Sequence, residues 1–148
     1  MRSRTPRLAS ALLLIAACLL PAGCEKRLPT ITLDLGGELF EVEVARTEQE
    51  RAQGLKGRRR LGAREGMLFV FPADDRLDFW MQDTLIPLSI AFISADGILL
   101  EIRDMKPRSL DPVVSRLKAR YALEVNRGAF DEAGVSAGYQ LTFPDGFR

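Results

Sequence analysis

The apolar and polar positions of this chain alternate in short runs, which predicts a domain built mainly from β-strands. Through most of these runs every second residue is apolar, which is the period of a strand with one buried face. Two of the gaps between runs contain Gly36-Gly37 and Asp96-Gly97, and such pairs are typical of tight hairpins. The predicted strands span residues 30–35, 38–44, 67–71, 77–81, 88–93, 98–102, 121–125 and 139–143.

Two short helices are predicted among these strands. Thr47 and Glu50 have the spacing of a capping box, in which each side chain accepts a hydrogen bond from the other residue's backbone N–H group. Gly54 suits the residue that ends this helix, and Gly134 has the same position after residues 129–133. The fold class is therefore α+β and mainly β. Seven or eight short antiparallel strands favour a compact barrel or half-barrel.

The first 24 residues have the composition of a bacterial export signal. Three arginines precede the apolar residues 8–20, a run shorter than the roughly 20 residues that a membrane-spanning helix needs. Ala22-Gly23 before Cys24 is similar to the lipobox of bacterial lipoproteins, so Cys24 is the predicted lipidation site and Cys18 is the alternative. Secretion without a lipid, or an uncleaved anchor, is the competing interpretation. The predicted organisation is a signal peptide (1–24), a tether (25–30), one domain (31–143) and a tail (144–148).

The predicted location is the periplasmic side of a bacterial membrane. Glu25 after the lipid cysteine favours the outer membrane, by resemblance to the sorting rule of enteric bacteria. Beyond residue 24 the chain has 18 basic and 20 acidic residues, because three of the 21 basic residues belong to the signal. This weakly acidic balance gives no general attraction to nucleic acid. The chain has no histidine, and beyond residue 24 it has no cysteine. Triad catalysis and imidazole zinc sites are thereby excluded, and we expect no metal site and no cofactor.

Several blocks of the sequence closely resemble an uncharacterised bacterial and archaeal family, domain of unknown function 192. These blocks are residues 50–55, 66–71, 79–88 and 123–126, followed by Gly128. The resemblance extends from about Ile31 to Phe143 and implies a compact, largely β fold and frequent export, without an established activity. Gln82 and Asp83 stand where the family commonly has Lys and Asn. Ser89 and Ser94 stand where Asp is common, which makes a calcium or magnesium site less expected in this chain.

Trp80, the single tryptophan, suggests a ligand pocket. Alternation places Phe79 and Met81 on one face of their predicted strand and Trp80 on the other, near Gln82 and Thr84. An indole beside amide and hydroxyl groups suits the floor of a pocket. The more conservative interpretation is that Trp80 fills the interior of the barrel.

Glu124 lies between two apolar residues of a predicted strand, where a carboxylate requires solvent, a cavity or a cation. A buried ion pair with Arg51 or Arg58 is the conservative interpretation. The functional alternative is a recognition fork in which the two guanidinium groups and Glu124 bind an anionic or zwitterionic ligand. Asp83 and Asn126 are the other polar residues that we expect to converge with Glu124.

A basic loop follows the first predicted helix. We expect it to be a solvated turn balanced by acidic residues of the first hairpin, and contact with anionic lipid or cell-wall polymer is the alternative. The basic residues of the loop are Lys56, Arg58, Arg59, Arg60 and Arg64, and the acidic residues of the hairpin are Glu38, Glu41 and Glu43.

The predicted function is that of an exported, lipid-anchored module that binds an envelope ligand or protein and carries out no catalysis. The candidate ligand-binding residues are Arg51, Arg58, Trp80, Gln82, Asp83, Thr84, Glu124 and Asn126. A structural or protein-interaction role is the second hypothesis. The third is an envelope hydrolase that uses Asp83 and Glu124, because two carboxylates across a cleft can cleave a glycosidic bond without histidine.

Overall fold

A computed structural model describes residues 27–147 of the 148-residue chain. The mainly β, α+β fold class is confirmed. The predicted export signal, with Cys18 and Cys24, lies outside the described residues. Within the described part, no helix is long and apolar enough to cross a membrane. The elements are β1 (Thr30–Leu35), β2 (Glu38–Ala45), α1 (Glu48–Gln53), β3 (Glu65–Asp75), β4 (Asp78–Phe79), β5 (Leu88–Ile93), β6 (Leu99–Met105), β7 (Val113–Val114), β8 (Ala119–Asn126) and α2 (Ala129–Glu132).

Six strands form one mixed sheet in the order β1-β2-β3-β8-β5-β6, and β4 pairs with β7 in a small second sheet. The strands β2 and β3 are parallel, because α1 carries the chain back to the end of the sheet at which β2 began. The other neighbouring strands are antiparallel. The sheet is open, so the closed barrel, one of the two predicted forms, is wrong. The prediction that all strands are antiparallel is wrong at the pair β2 and β3.

Apolar side chains are buried on both faces of the large sheet, which explains why the sheet has no need to close on itself. Phe130 of α2 belongs to the core cluster on one face, and Leu55, after α1, belongs to the cluster on the other. Along β8, Leu123 packs into the first cluster and Ala122 into the second. Glu124 therefore falls on the second face, the one next to α1.

The local turn and capping signals of the sequence are confirmed. Gly36 and Gly37 have φ values of 65° and 91° in the turn between β1 and β2. A Cβ atom on Gly36 would lie 2.0 Å from the carbonyl oxygen of Ala133, so only glycine fits where this turn packs against the end of α2. The Thr47 hydroxyl accepts from the Glu50 N–H group (3.2 Å), and the Glu50 carboxylate accepts from the Thr47 N–H group (2.9 Å).

The largest departures from the predicted strand boundaries are at β3 and at residues 139–143. The strand predicted at residues 67–71 continues through Pro72 to the end of β3 at Asp75. The ladder between β3 and β8 has a register shift between Val70 and Asp75, and a strand tolerates proline at such an irregularity. A full strand is predicted at residues 139–143, but the structure has only an isolated antiparallel bridge there, between Gln140 and Ile98.

Candidate functional site

A cavity of about 390 Å³ lies beside α1, on the second face of the large sheet. This volume suits a small organic molecule. The rings that line it are Phe69, Phe71, Phe79 and Trp80, and the polar side chains are Glu48, Arg51, Gln53, Lys56, Asp78, Thr84 and Glu124.

Glu124 is the buried acid of this cavity. Its side chain is 5% exposed, and its partners in the ladders with β3 and β5 are the apolar residues Met67 and Ile90. No residue from 27 to 147 donates a hydrogen bond to its carboxyl group. In the same range, every buried side-chain oxygen or nitrogen that is cut off from solvent has a partner. The unpaired oxygens of Glu124 must therefore face the cavity.

The burial of Glu124 changes its acidity. Removal of the carboxyl group from water, with no cation to compensate, raises the pKa of Glu124 to about 8. Since the unperturbed value is 4.5, the side chain is mostly a neutral acid at pH 7. A neutral carboxylic acid on a cavity wall can donate one hydrogen bond, and it becomes a strong acceptor when a cation approaches.

Thr84 supplies a second buried polar group to the cavity. Its N–H group donates to the carbonyl oxygen of Met81 (3.0 Å), and its own carbonyl oxygen accepts from the N–H group of Arg108 (3.0 Å). These backbone bonds hold Thr84 in the wall. Among residues 27–147, nothing hydrogen-bonds the Thr84 hydroxyl group, and this oxygen must also meet the cavity.

Trp80 lies at the open side of the cavity. The indole is 53% exposed, whereas Met81 is buried and Phe79 packs against the second core cluster. The predicted alternation of these three side chains is confirmed, and the interpretation that Trp80 fills the interior is wrong. The strand itself is shorter than predicted, because only Asp78–Phe79 pairs with β7. The ring of Phe79 packs edge-on against Phe69, with ring centroids 5.0 Å apart, so the residue before Trp80 is held against the core.

Arg51 borders the cavity without pairing with Glu124. One terminal nitrogen of its guanidinium group donates to the carbonyl oxygens of Arg46 and Val70, the latter at 3.0 Å. The guanidinium carbon lies 4.8 Å from the centroid of the Phe71 ring, which is a cation–π contact. The conservative interpretation, an ion pair between Arg51 and Glu124, is therefore wrong.

Arg58 forms the buried ion pair that the sequence analysis assigned to Glu124, but its acidic partner is Glu43 of β2. Its two terminal nitrogens donate to the two carboxylate oxygens of Glu43 at 2.7 and 2.8 Å. Burial alone would raise the pKa of Glu43, but the hydrogen bonds from Arg58 and the Leu28 N–H group lower it. A second pair joins Arg64 to Glu38, which confirms that the acidic hairpin balances the basic loop.

The remaining candidate residues lie outside the cavity. Gln82 and Asp83 are exposed, and the Asp83 carbonyl oxygen accepts from the Gly57 N–H group (2.9 Å). Asn126 donates to the carbonyl oxygens of Gly62 (2.8 Å) and Leu61 (3.3 Å), so it fastens the basic loop to β8. Of the candidate set, the structure brings together Arg51, Trp80, Thr84 and Glu124.

Sequence reasoning missed Lys56, Phe71 and Asp78 as lining residues. No motif links them, since they meet only where α1, β3 and β4 come together. Within residues 27–147, no group of three or more acidic, histidine or cysteine side chains is arranged to hold a metal ion.

The fold and the site define an open, mainly β domain with a cavity on the second face of its large sheet. The cavity contains a buried acid, Glu124, that has no hydrogen-bond partner among residues 27–147. The chain belongs to the family domain of unknown function 192, described as uncharacterized ACR, whose model matches residues 31–143. No curated protein matches the chain.

Two solved structures are similar to this chain. A putative transcription regulator from Sinorhizobium meliloti 1021 is 34% identical, with a TM-score of 0.71, over 75% of this chain and 89% of that one. A protein of unknown function from Novosphingobium aromaticivorans DSM 12444 is 27% identical, with a TM-score of 0.74, over 95% of this chain and all of that one. These similarities support the fold and the family and assign no activity to the cavity.

Proposed function

We propose that this protein is a binding module that holds a small organic ligand in the cavity between Trp80 and Glu124. The observation that carries the proposal is the Glu124 carboxyl group, which is buried, faces the cavity and lacks a hydrogen-bond partner among residues 27–147. Buried polar side chains nearly always have partners, and leaving one unpaired lowers the stability of the fold. A bound ligand would supply the missing partner.

The surroundings of Glu124 also suit ligand binding. The unpaired Thr84 hydroxyl group gives the cavity a second point of orientation, and Phe71, Phe79 and Trp80 provide apolar contact area. Binding sites for small molecules combine a mainly apolar wall with a few placed polar groups in this way. A hydrolase that uses Asp83 and Glu124 as its carboxylate pair has less support, because Asp83 does not line the cavity.

The location of this module outside the cytoplasm, on a lipid at Cys24, is part of the same proposal. The predicted tether is fastened to the domain from Arg27 onward, through the ion pair of Arg27 with Glu65 (3.3 Å) and the bond from the Leu28 N–H group to Glu43 (3.0 Å). Two residues, Glu25 and Lys26, then separate Cys24 from Arg27, and the three steps along the chain have a reach of roughly 10 Å. We expect Cys24→Ala to move the protein from the membrane fraction to the soluble periplasm, and unchanged fractionation would contradict lipidation there.

Mass spectrometry of the protein purified from its native host tests ligand binding directly. The protein is denatured, and the small molecules that it releases are compared among wild type, Glu124→Leu and Gln82→Ala. Leucine suits the apolar surroundings of Glu124, whereas Gln82 is exposed and outside the cavity, which makes it the matched control. We expect wild type and Gln82→Ala to release the same molecule and Glu124→Leu to release none. Equal release from all three, or none from any, would contradict the proposal.

A second candidate function is contact with an anionic membrane surface through the small sheet and its loop. In this region Trp80, Leu110, Val114 and Leu117 are 53%, 72%, 39% and 58% exposed. The exposed charged residues of the loop are the basic Lys106, Arg108, Arg116 and Lys118 and the acidic Asp111. Exposed leucines and a tryptophan among cations suit the boundary between lipid headgroups and acyl chains.

Vesicle flotation tests whether this surface contacts a membrane or binds another protein. The structural or protein-interaction hypothesis requires the second. We expect the unlipidated chain from Glu25 onward to float with phosphatidylglycerol vesicles and not with phosphatidylcholine vesicles. Leu117→Gln should weaken flotation, whereas Leu39→Gln should not, because Leu39 is equally exposed (63%) but lies on the β1–β2 hairpin. Failure to float with either vesicle would favour a protein partner.

A further inference from the structure

Two polar side chains on the cavity wall, Glu124 and Thr84, lack a hydrogen-bond partner among residues 27–147, and this indicates the chemistry of the ligand. We infer that the cavity binds an organic ammonium group, with Glu124 as the counter-ion and the rings of Phe79 and Trp80 against the cation. The inference rests on the proposed function and deepens it, because it names the chemical class of the ligand. Its basis is the hydrogen-bond pairing of Glu124, Thr84 and Arg51 on the cavity wall.

The first observation is that no protein donor reaches Glu124. Its ladder partners Met67 and Ile90 have apolar side chains, and no residue from 27 to 147 donates to the carboxyl group. The Thr84 hydroxyl oxygen beside the cavity is also free to accept a bond. An ionised carboxylate accepts several hydrogen bonds and donates none. The complement of this ionised form is therefore a cation or a group with N–H donors, and the protein itself supplies neither to Glu124.

The second observation is that the arginines expected to bind an anion are already engaged. Arg58 is paired with Glu43, and Arg51 donates to backbone carbonyl groups and covers the ring of Phe71. The recognition fork for an anionic ligand is thus not assembled at Glu124. The carboxyl groups of Glu48 and Asp78 also line the cavity, but the cations Arg51 and Lys56 balance them, so the ligand's charge is argued from Glu124 alone.

The third observation is that the aromatic wall suits a cation. The guanidinium group of Arg51 already lies 4.8 Å from the centroid of Phe71, within the same lining. Phe79 and Trp80 also line the cavity, and the negative face of an aromatic ring attracts ammonium groups. Aromatic rings are the usual recognition site for substituted ammonium ions.

Ionisation of Glu124 gives this binding mode a measurable signature. Burial raises the pKa of Glu124 to about 8, so the empty site holds a proton at pH 7 in about nine-tenths of the molecules. An ammonium ion beside the carboxyl group favours its ionised form. Binding at pH 7 should therefore release about 0.9 proton per ligand, and binding at pH 9 only about 0.1.

The test compares charged probes with a neutral probe of the same shape. Purified full chain in maltoside detergent is titrated with choline, with ethanolamine, and with the uncharged isostere of choline that has a tert-butyl group in place of trimethylammonium. Fluorescence of Trp80, the single tryptophan, reports binding, and a pH-stat counts the protons released. The choline and ethanolamine arms distinguish a fully substituted ammonium group from a primary one.

We expect at least one ammonium probe to bind ten-fold or more tightly than the isostere and to release a proton at pH 7. Glu124→Gln should lose at least ten-fold in affinity together with the proton release, whereas Gln82→Ala should keep both. Equal affinity for the isostere, binding without proton release, or no binding of either ammonium probe would overturn the inference. If mass spectrometry finds a bound molecule of another class, the ammonium inference fails but the proposed function still stands. The two experiments therefore distinguish failure of the inference from failure of the proposed function.

Discussion

Replacement of Glu124 by glutamine should remove a steep pH dependence from the stability of this domain. Burial raises the pKa of Glu124 to about 8 in the folded chain, against 4.5 for an unperturbed side chain. Between these two pH values the folded chain holds a proton that the unfolded chain has released, so the free energy of unfolding falls as the pH rises. Below pH 4.5 both states are protonated and above pH 8 both are ionised, so the dependence ends at each limit.

The size of the effect follows from the shift in pKa. One unit corresponds to about 1.4 kcal/mol, so the loss of stability reaches about 5 kcal/mol at pH 8 and about 3 kcal/mol at pH 7. Glutamine has nearly the same shape and no charge, so Glu124→Gln should be about 3 kcal/mol more stable than wild type at pH 7. Since small domains have total stabilities of about 5–15 kcal/mol, this is a large cost, and it is typical of a residue kept for binding.

Urea unfolding from pH 5 to pH 9, followed by circular dichroism, measures this difference. Glu43 does not affect the comparison between pH 5 and pH 9. Its pKa is lowered in the folded chain, so the stability that it contributes is fully present above pH 4.5 and is lost only below that value. Wild type should lose stability steadily up to about pH 8, and Glu124→Gln should be nearly flat. A flat profile for wild type, or an equally steep one for the variant, would refute the reasoning.

The remaining predictions concern the scaffold around the site, and urea unfolding checks each of them. Arg58→Ala should cost about 3–5 kcal/mol, because Glu43 stays buried without the guanidinium group that neutralises it; a loss under 1 kcal/mol, as for an exposed pair, would contradict the buried pairing. Thr47→Ala should cost about 1 kcal/mol through loss of the helix cap, and no change would show that the cap is dispensable. Gly36→Ala should destabilise the domain much more than Gly37→Ala, because both have positive φ but only the first would collide with backbone; equal losses would contradict the close packing of this turn on α2.

The features that were predictable from the sequence are those set by neighbouring residues. Alternation identified both hairpins, and the spacing of Thr47 and Glu50 identified the capped helix, because each signal is contained in one short segment. The order of strands in the sheet depends on distant segments. Alternation tells which face a side chain occupies but not which strand lies beside it, and for this reason the parallel pair β2–β3 and the central position of β8 were missed.

The candidate site divides in the same way. Glu124 was found because it is an acid between apolar residues, and Trp80 because alternation places the single indole on the face opposite Phe79 and Met81. The partner of Arg58 was misassigned, because Glu43 and Glu124 both lie on strands that can face the basic loop. Only the folded arrangement shows that Glu43 takes the guanidinium group and leaves Glu124 unpaired.

A crystal structure of the protein soaked with the tighter-binding ammonium probe tests the central claim most directly. The account predicts density for the probe inside the cavity, with its nitrogen beside the Glu124 carboxylate and against the ring of Trp80. Density for the probe elsewhere on the protein, or a cavity closed by the side chains of Phe79 and Trp80, would contradict it.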